Sequence, residues 1–253
     1  MAYPVGSPPA LPERFRGRPL IDSTRCPDGC RKCAEACPTE AIAIGPNGAG
    51  AGRAYVDLGK CLFCTECVEA CPEGALKYSG DYRLSTRTRE ALVTSEGEEL
   101  ALAGALERRL LSLFGRSLKL RQVSAGGCNA CEADVNVLGT VGWDLGRFGI
   151  QMVASPRHAD GLLVTGCVSE NMKLALQKTY DAVPPPKIVI AVGACAISGG
   201  PYLESPHQHG GAGSTVPVDL FIPGCPPHPL TILDGLLRLL GRIEAEGRVG
   251  GLS

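Results

Sequence analysis

Eight of the thirteen cysteines in the sequence lie between Cys26 and Cys71. The last four of them form the run Cys61-x-x-Cys64-x-x-Cys67-x-x-x-Cys71-Pro72. In this spacing, three thiolates in a tight loop wrap one iron–sulfur cubane, and the fourth, distant thiolate ligates another cubane. The pattern predicts two 4Fe-4S clusters in the first third of the chain.

The eight cysteines form an internal repeat, because the last three of the first copy return 34 positions later in the second copy. The crossed ligation rule divides them into two ligand sets. Cluster 1 is predicted to use Cys26, Cys30, Cys33 and Cys71, and cluster 2 is predicted to use Cys37, Cys61, Cys64 and Cys67.

The first copy has three residues instead of two between Cys26 and Cys30. This insertion predicts a bulged loop in which Gly29 supplies the backbone freedom. A cluster with fewer irons at this position stays open as an alternative. A zinc site is a less favoured alternative, because zinc ribbons use two cysteine pairs about 15–20 residues apart with no third cysteine in each pair.

Five more cysteines are spread between Cys128 and Cys225. Cys128 and Cys131 form one close pair, and with Cys195 and Cys225 they suffice for a third cubane. A thioredoxin-like redox pair is the alternative, but it needs neither of the two distant cysteines. Cys167 is interpreted as a buried small hydrophobic residue and is left out of the ligand set.

Length and composition indicate a globular protein of two domains. The chain has 253 residues, a formal net charge of −1 and no run of 18 apolar residues. These values argue against nucleic acid as a partner and against a membrane-spanning segment. No export signal is visible in residues 1–20, so we expect a cytoplasmic location, where thirteen cysteines favour metal over disulfides.

From Leu118 onward, short apolar strands alternate with helical stretches, which predicts a parallel sheet covered on both faces. The predicted strands are Leu118–Val123, Ile150–Ala154, Gly161–Thr165, Lys187–Val192 and Val218–Ile222. The predicted helices are Ser169–Ala182 and Pro229–Glu244. The cysteines of the third group follow carboxyl ends of strands, where open α/β sheets place ligands.

Three segments are therefore expected. Residues 1–84 are predicted to form an α+β ferredoxin-like domain, and residues 118–253 an α/β flavodoxin-like domain with a mainly parallel sheet. Residues 85–117 are predicted to contain an amphipathic helix. Its apolar face would carry Leu106, Leu110, Leu113 and Phe114, and Arg108, Arg109 and Arg116 would lie on other faces.

Five segments of the C-terminal half carry a family resemblance: Arg121-Gln122-Val123, Gly127-Cys128-Asn129-Ala130-Cys131-Glu132, Ser155-Pro156-Arg157-His158-Ala159-Asp160, Val192-Gly193-Ala194-Cys195 and Ile222-Pro223-Gly224-Cys225-Pro226-Pro227. They resemble the small electron-transfer subunit shared by NiFe hydrogenases and the complex I family. The resemblance is strongest to energy-converting, membrane-bound hydrogenases of the formate hydrogenlyase type. The N-terminal half resembles the polyferredoxin subunit that such complexes normally encode separately.

The resemblance implies an electron relay with three 4Fe-4S clusters, the third being a proximal cluster held by Cys128, Cys131, Cys195 and Cys225. It implies a NiFe-hydrogenase-like large subunit, membrane subunits, and a soluble ferredoxin or formate dehydrogenase-type protein as partners. The location implied is peripheral, on the inner face of the cytoplasmic membrane. Complex I relatives carry adjacent cysteines where this chain has Cys128 and Cys131, so the hydrogenase branch is favoured.

Glu132 is a candidate for proton handling or for hydrogen-bonding a partner subunit, and a solvent-facing or helix-start carboxylate is the alternative. The four histidines are interpreted as structural or loop residues. Three other functions stay open: a complex I-like or hydrogenase-related module without hydrogen chemistry, a stand-alone ferredoxin-type carrier or iron–sulfur sensor, and a zinc-dependent interaction module.

Overall fold

The computed structural model describes residues 2–47, 50–115 and 117–243. Seven short elements make up the N-terminal half: β1 (Pro19–Ile21), α1 (Lys32–Glu35), β2 (Ile42–Asn47), β3 (Gly50–Asp57), α2 (Glu66–Glu69), β4 (Leu76–Tyr78) and β5 (Val93–Ser95). β1 pairs antiparallel with β4, and β3 pairs antiparallel with both β2 and β5. The helices α1 and α2 are 34 positions apart, so the sequence repeat is a structural repeat.

The segment 85–117 is less helical than the sequence predicts. Its helix, α3 (Arg108–Phe114), has only seven residues, and β5 from the same segment joins the N-terminal sheet. Leu106 precedes the helix and is buried with Phe114, whereas Leu113 is 53% exposed. Arg116 lies outside the described residues.

The C-terminal half contains nine elements: β6 (Leu118–Ser124), α4 (Ala130–Val137), β7 (Ile150–Met152), β8 (Gly161–Thr165), α5 (Glu170–Ala182), β9 (Ile188–Val192), α6 (Ala194–Ser198), β10 (Leu220–Ile222) and α7 (Pro229–Leu239). Its five strands are parallel, in the order β10-β9-β8-β6-β7. Every residue of β8 and β9 is buried, as expected for strands covered on both faces.

The strand and helix predictions for this half are confirmed in position, with ends that move by a few residues. Gly161–Thr165 matches residue for residue, and the predicted strand Val218–Ile222 begins at Leu220. Helix α7 begins where His228 Nδ1 accepts a hydrogen bond from the Leu230 amide at 3.1 Å and Pro229 takes the first helical position. It ends at Leu239, and Glu244 lies outside the described residues.

The two halves share packing and hydrogen bonds. One core cluster contains Leu58 and Cys67 from the N-terminal half together with Val164 and Val189 from the sheet. Ser198 Oγ donates to the Gly59 carbonyl at 2.8 Å. The halves are therefore held against each other by a common apolar core.

The outer edge of β10 is covered by the chain that leaves the N-terminal half. Thr86 pairs antiparallel with Phe221, and their main chains exchange two hydrogen bonds of 2.9 and 3.0 Å. This pairing satisfies main-chain groups that an edge strand would otherwise expose. Within the described ranges, no helix is both long and apolar enough to cross a membrane.

Candidate metal centres

A cavity of about 370 Å³ lies beside the first cysteine loop. Four thiols line it, those of Cys26, Cys30, Cys33 and Cys71, and Ile44 is among the apolar side chains that complete the wall. Burial raises the pKa of the Cys26 thiol, and the neighbouring Cys71 and Cys30 thiols raise it further. The structure thus brings together the four cysteines that the sequence assigns to cluster 1.

The second group is more deeply buried. Cys61 and Cys67 are 8% and 6% exposed. Burial raises the pKa of Cys61 to about 12; the Phe63 amide acts in the opposite direction, and the Cys67, Cys37 and Cys64 thiols add to the increase. Mutual repulsion of this kind requires the four sulfur atoms to be neighbours. They are the four cysteines assigned to cluster 2.

Main-chain amides already point at several of these sulfur atoms. Ala41 N–H donates to Cys37 Sγ at 3.2 Å, and Ala75 N–H donates to Cys71 Sγ at 3.3 Å. These two bonds are equivalent in the repeat. A third amide, that of Phe63, donates to Cys61 Sγ at 3.3 Å. Amide donors of this kind stabilise thiolates, which are the form that binds iron.

The third group gathers beyond the carboxyl ends of three strands. Cys128 and Cys131 follow β6, Cys195 follows β9, and Cys225 follows β10. Burial raises the pKa of Cys131, with further increases from Cys195, Cys225, Glu132 and Cys128. Burial likewise raises the pKa of Cys195 to about 12. The sheet order reverses between β6 and β8, and open sheets have a crevice at such a point.

Two glycines leave room around these thiols. A Cβ atom on Gly193, whose φ is +90°, would lie 2.4 Å from Cys131 Sγ. A Cβ atom on Gly200, whose φ is +56°, would lie 2.8 Å from Cys195 Sγ. Both distances are far below van der Waals contact. The donor set of four soft thiolates in a space kept free of side chains fits an iron–sulfur cubane.

The three groups lie in a row. Cys33 of the first group interacts electrostatically with Cys67 of the second. Cys225 of the third group interacts in the same way with Cys64 of the second. A cavity of about 380 Å³ has both Cys64 and Cys225 in its wall. The second group is therefore the middle one.

The four thiols of a group are not arranged about a single point. Within the ranges that the structure describes, no three His, Cys, Asp or Glu side chains converge closely enough to hold one metal ion. A cubane spreads its thiolates over four irons, whereas zinc gathers its ligands about one atom.

Glu132 lies at the start of α4 and is only 5% exposed. Its Oε1 atom accepts hydrogen bonds from Ser124 Oγ at 2.5 Å and Thr165 Oγ1 at 2.8 Å, at the ends of β6 and β8. The helix-start position was among the sequence interpretations, but a solvent-facing carboxylate is ruled out by its burial. The carboxylate ties the cysteine loop to two strands.

Cys167 is 4% exposed, and its thiol donates to the Gly126 carbonyl at 3.5 Å. It also interacts electrostatically with Cys195. Its burial agrees with the interpretation as a small apolar residue, and it lies beside the third group without being one of the four proposed ligands. Among the histidines, His228 caps α7 and His209 pairs with Glu170 at 2.5 Å, which are structural roles.

Sequence reasoning missed one polar side chain at the second group. The Tyr78 hydroxyl donates to the Cys64 carbonyl, and it interacts with the Cys67 thiol as well. A comparison of the two copies would have singled it out, because the position 34 residues earlier is Ile44.

Comparison with known proteins decides the family. Residues 128–239 match the family described as NADH ubiquinone oxidoreductase, 20 Kd subunit, and residues 25–75 match the 4Fe-4S dicluster domain. The probable membrane-bound hydrogenase subunit mbhJ of Pyrococcus furiosus is 42% identical over 141 residues, which are 54% of this chain and 84% of that protein. This chain belongs to the 20 kDa subunit family of NADH–ubiquinone oxidoreductase.

Two further members of the family are similar. A subunit of the NADH-quinone oxidoreductase of Phocaeicola vulgatus is 39% identical over 63% of this chain and 79% of its own length. Formate hydrogenlyase subunit 7 of Escherichia coli is 41% identical over 56% of this chain, and the match spans 56% of that protein. The predicted similarity to hydrogenase and complex I subunits is therefore confirmed. The predicted iron–sulfur domain in the N-terminal half of this chain is confirmed as well.

Proposed function

We propose that the chain is the iron–sulfur electron-transfer subunit of a multi-subunit, membrane-associated oxidoreductase of the hydrogenase and complex I type. The order of the three thiol groups, in which Cys33 interacts electrostatically with Cys67 and one cavity has both Cys64 and Cys225 in its wall, is the observation that carries the proposal. A subunit that conducts electrons needs such a row. The hydrogenase and formate hydrogenlyase relatives support the type of complex.

Three 4Fe-4S clusters are proposed, on the ligand sets assigned from the sequence. A thiolate-ligated cubane exchanges one electron at a potential that net charge, hydrogen bonds and exposure determine. The chain's own residues hold the thiolates, direct amides at them and keep side chains out of the space between them. We propose the division into residues 1–84, 85–117 and 118–253. β5 lies in the middle segment by this division, but it pairs within the N-terminal sheet.

For the C-terminal half we propose a flavodoxin-like fold. Numbered within that half, its strands run in the order 2-1-3-4-5 when read from β7 to β10, which is the flavodoxin order. For Glu132, the two hydroxyl donors and the burial support a role in holding the α4 start beside Cys131. Proton handling by Glu132 stays a prediction.

The third group is the proposed contact with the large subunit. Cys128 and Cys225 are exposed, so the proposed proximal cluster would face a partner across them. Electrons would enter or leave at the other end, where Cys26 is exposed, by way of a soluble ferredoxin or a formate dehydrogenase-type protein. Membrane subunits would hold the assembly peripherally on the inner face of the cytoplasmic membrane.

Iron and acid-labile sulfide in the anaerobically isolated complex test the cluster count. About twelve irons per chain are expected from three cubanes. Cys225→Ala should lose about four of them, whereas Cys167→Ala, in the same crevice, should keep all twelve. A wild-type chain without sulfide, or with zinc in place of iron, would overturn the proposal.

A second function is an equivalent role in a complex I-like oxidoreductase without hydrogen chemistry. The similarity to the NADH-quinone oxidoreductase relative of Phocaeicola vulgatus favours it. Hydrogen uptake by the purified complex separates the two, because a NiFe site on the large subunit would make the clusters reducible by hydrogen.

A further inference from the structure

The two cysteine copies differ at one position beside their thiols. The second copy places Tyr78 at the end of β4, whereas the first copy has Ile44 at the equivalent position. Ile44 lies in the wall of the cavity formed by the first group. A phenol hydroxyl thus accompanies one group of four thiols, and an aliphatic side chain accompanies the other.

The Tyr78 hydroxyl is directed at two residues of the second group. It donates to the main-chain carbonyl of Cys64 and interacts with the thiol of Cys67. A phenol carries its proton at neutral pH, so the Tyr78 hydroxyl acts as a donor in this geometry. Whether the Cys64 carbonyl oxygen or the Cys67 sulfur accepts this hydrogen bond, the positive end of the O–H dipole points towards the second group.

Other hydrogen bonds differ between the groups in the same direction. At the second group, Arg16 Nη1 donates to the Phe63 carbonyl at 2.6 Å, and the Phe63 amide donates to Cys61. At the first group, the Ala75 amide donates to Cys71, and the cavity wall carries charges of both signs, Arg31 and Lys32 with Asp28. Among the described residues, the second group therefore has more hydrogen-bond donors.

These surroundings change the reduction potential of the cluster that each group would hold. One added electron makes a thiolate-ligated cluster more negative, so a hydrogen-bond donor favours the reduced state and a carboxylate disfavours it. A hydrogen bond to a charged acceptor is strong enough to change such an equilibrium by roughly tenfold. For a one-electron couple, a tenfold change is about 59 mV.

We propose that Tyr78 is a positioning residue that raises the reduction potential of cluster 2 above that of cluster 1. The inference rests on the proposed function, since it takes the ligand sets given there. In the relay, one electron lost from cluster 1 is gained by cluster 2, and the difference in potential favours inward transfer. Tyr78 acts through Cys64 and Cys67 and does not itself react.

The test is an EPR-monitored redox titration of the complex carrying Tyr78→Phe, which removes only the hydroxyl. One of three midpoint potentials should fall by about 59 mV, equal to a tenfold change, while the other two stay unchanged. Tyr180→Phe is the matched control, because Tyr180 lies near the end of α5, where the Lys187 ammonium before β9 approaches its ring, at the opposite edge of the sheet from the third group. It should leave all three potentials unchanged.

The outcomes separate this inference from the proposed function. A wild-type complex without twelve irons would refute the cluster assignment itself. With twelve irons in both proteins and no shift in Tyr78→Phe, the cluster assignment stands and the role of Tyr78 is refuted. Loss of iron from Tyr78→Phe also refutes it, because the residue would then be needed for assembly and not for the potential.

The reciprocal variant gives an independent measurement. Ile44→Tyr places a phenol at the equivalent position of the first copy, beside the cavity that contains Cys26 and Cys30. One potential, different from the one that Tyr78→Phe lowers, should rise, with the others unchanged. A fully loaded Ile44→Tyr complex in which no potential rises would contradict the proposed action of a phenol at this position.

Discussion

Gly193→Ala should remove the third cluster and leave the first two in place. Gly193 has φ +90° and ψ 157°, a region that essentially only glycine occupies, and forcing another residue into it costs about 1–3 kcal/mol. The new methyl carbon would lie 2.4 Å from Cys131 Sγ, and moving the thiol to ordinary contact adds an overpacking cost of about 1–3 kcal/mol. We therefore expect the free energy of unfolding to fall by about 2–6 kcal/mol.

The assay is iron content with chemical denaturation of the same preparation. Iron should fall from about twelve to about eight per chain, because only the thiol of the third group is displaced. Gly142→Ala is the matched control, since a Cβ atom there meets nothing within 4 Å and Gly142 does not have the positive φ of Gly193. If Gly193→Ala kept twelve irons and wild-type stability, the assignment of Cys131 as a ligand in a sterically closed crevice would be wrong.

Three further predictions follow from the contacts. Cys37→Ser and Cys71→Ser should each lose about four irons. The EPR signal whose potential Tyr78→Phe shifts should be missing only in Cys37→Ser, because crossed ligation assigns Cys37, a residue of the first copy, to cluster 2. Glu132→Ala leaves two hydroxyls without their acceptor, so the free energy of unfolding should fall by about 1–3 kcal/mol, and by less in Glu132→Gln. Asp234→Ala breaks the buried ion pair in which Arg238 Nε lies 2.7 Å from the carboxylate, and should cost about 3–5 kcal/mol.

Each of these three predictions has a control or a result that would contradict it. Loss of that signal in Cys71→Ser, with the signal retained in Cys37→Ser, would contradict crossed ligation. Glu204→Ala and Asp181→Ala, at exposed positions, should leave the denaturation midpoint unchanged. A loss in Glu132→Gln as large as in Glu132→Ala would show that the charge matters more than the acceptor. An unchanged midpoint in Asp234→Ala would contradict the cost assigned to breaking this buried ion pair.

The parts that the sequence predicted well are those specified locally. Cysteine spacing is a property of one loop, so the ligand groups followed from the ferredoxin run and its repeat. The buried strands Gly161–Thr165 and Ile188–Val192 are continuous apolar runs, and their pattern alone predicts a parallel sheet. The family resemblance came from short segments at the strand ends.

Features that depend on tertiary contacts were not predictable in this way. The spacing of Leu106 and Leu113 indicates one apolar helix face, yet Leu106 lies before α3 and is buried, whereas Leu113 is exposed. The burial of Glu132 depends on hydroxyls 8 and 33 positions away in the chain. The approach of Cys64 to Cys225 arises only when the two halves pack together.

Because Thr86 pairs with Phe221, the chain from the N-terminal half keeps the edge of the C-terminal sheet from pairing with other molecules. If residues 118–253 were produced alone, β10 would lose its cover and present free amides and carbonyls to any similar strand. Copies of the isolated domain would then join edge to edge. Covalent continuity between the two halves therefore works as protection against self-assembly, independently of what passes between the thiols.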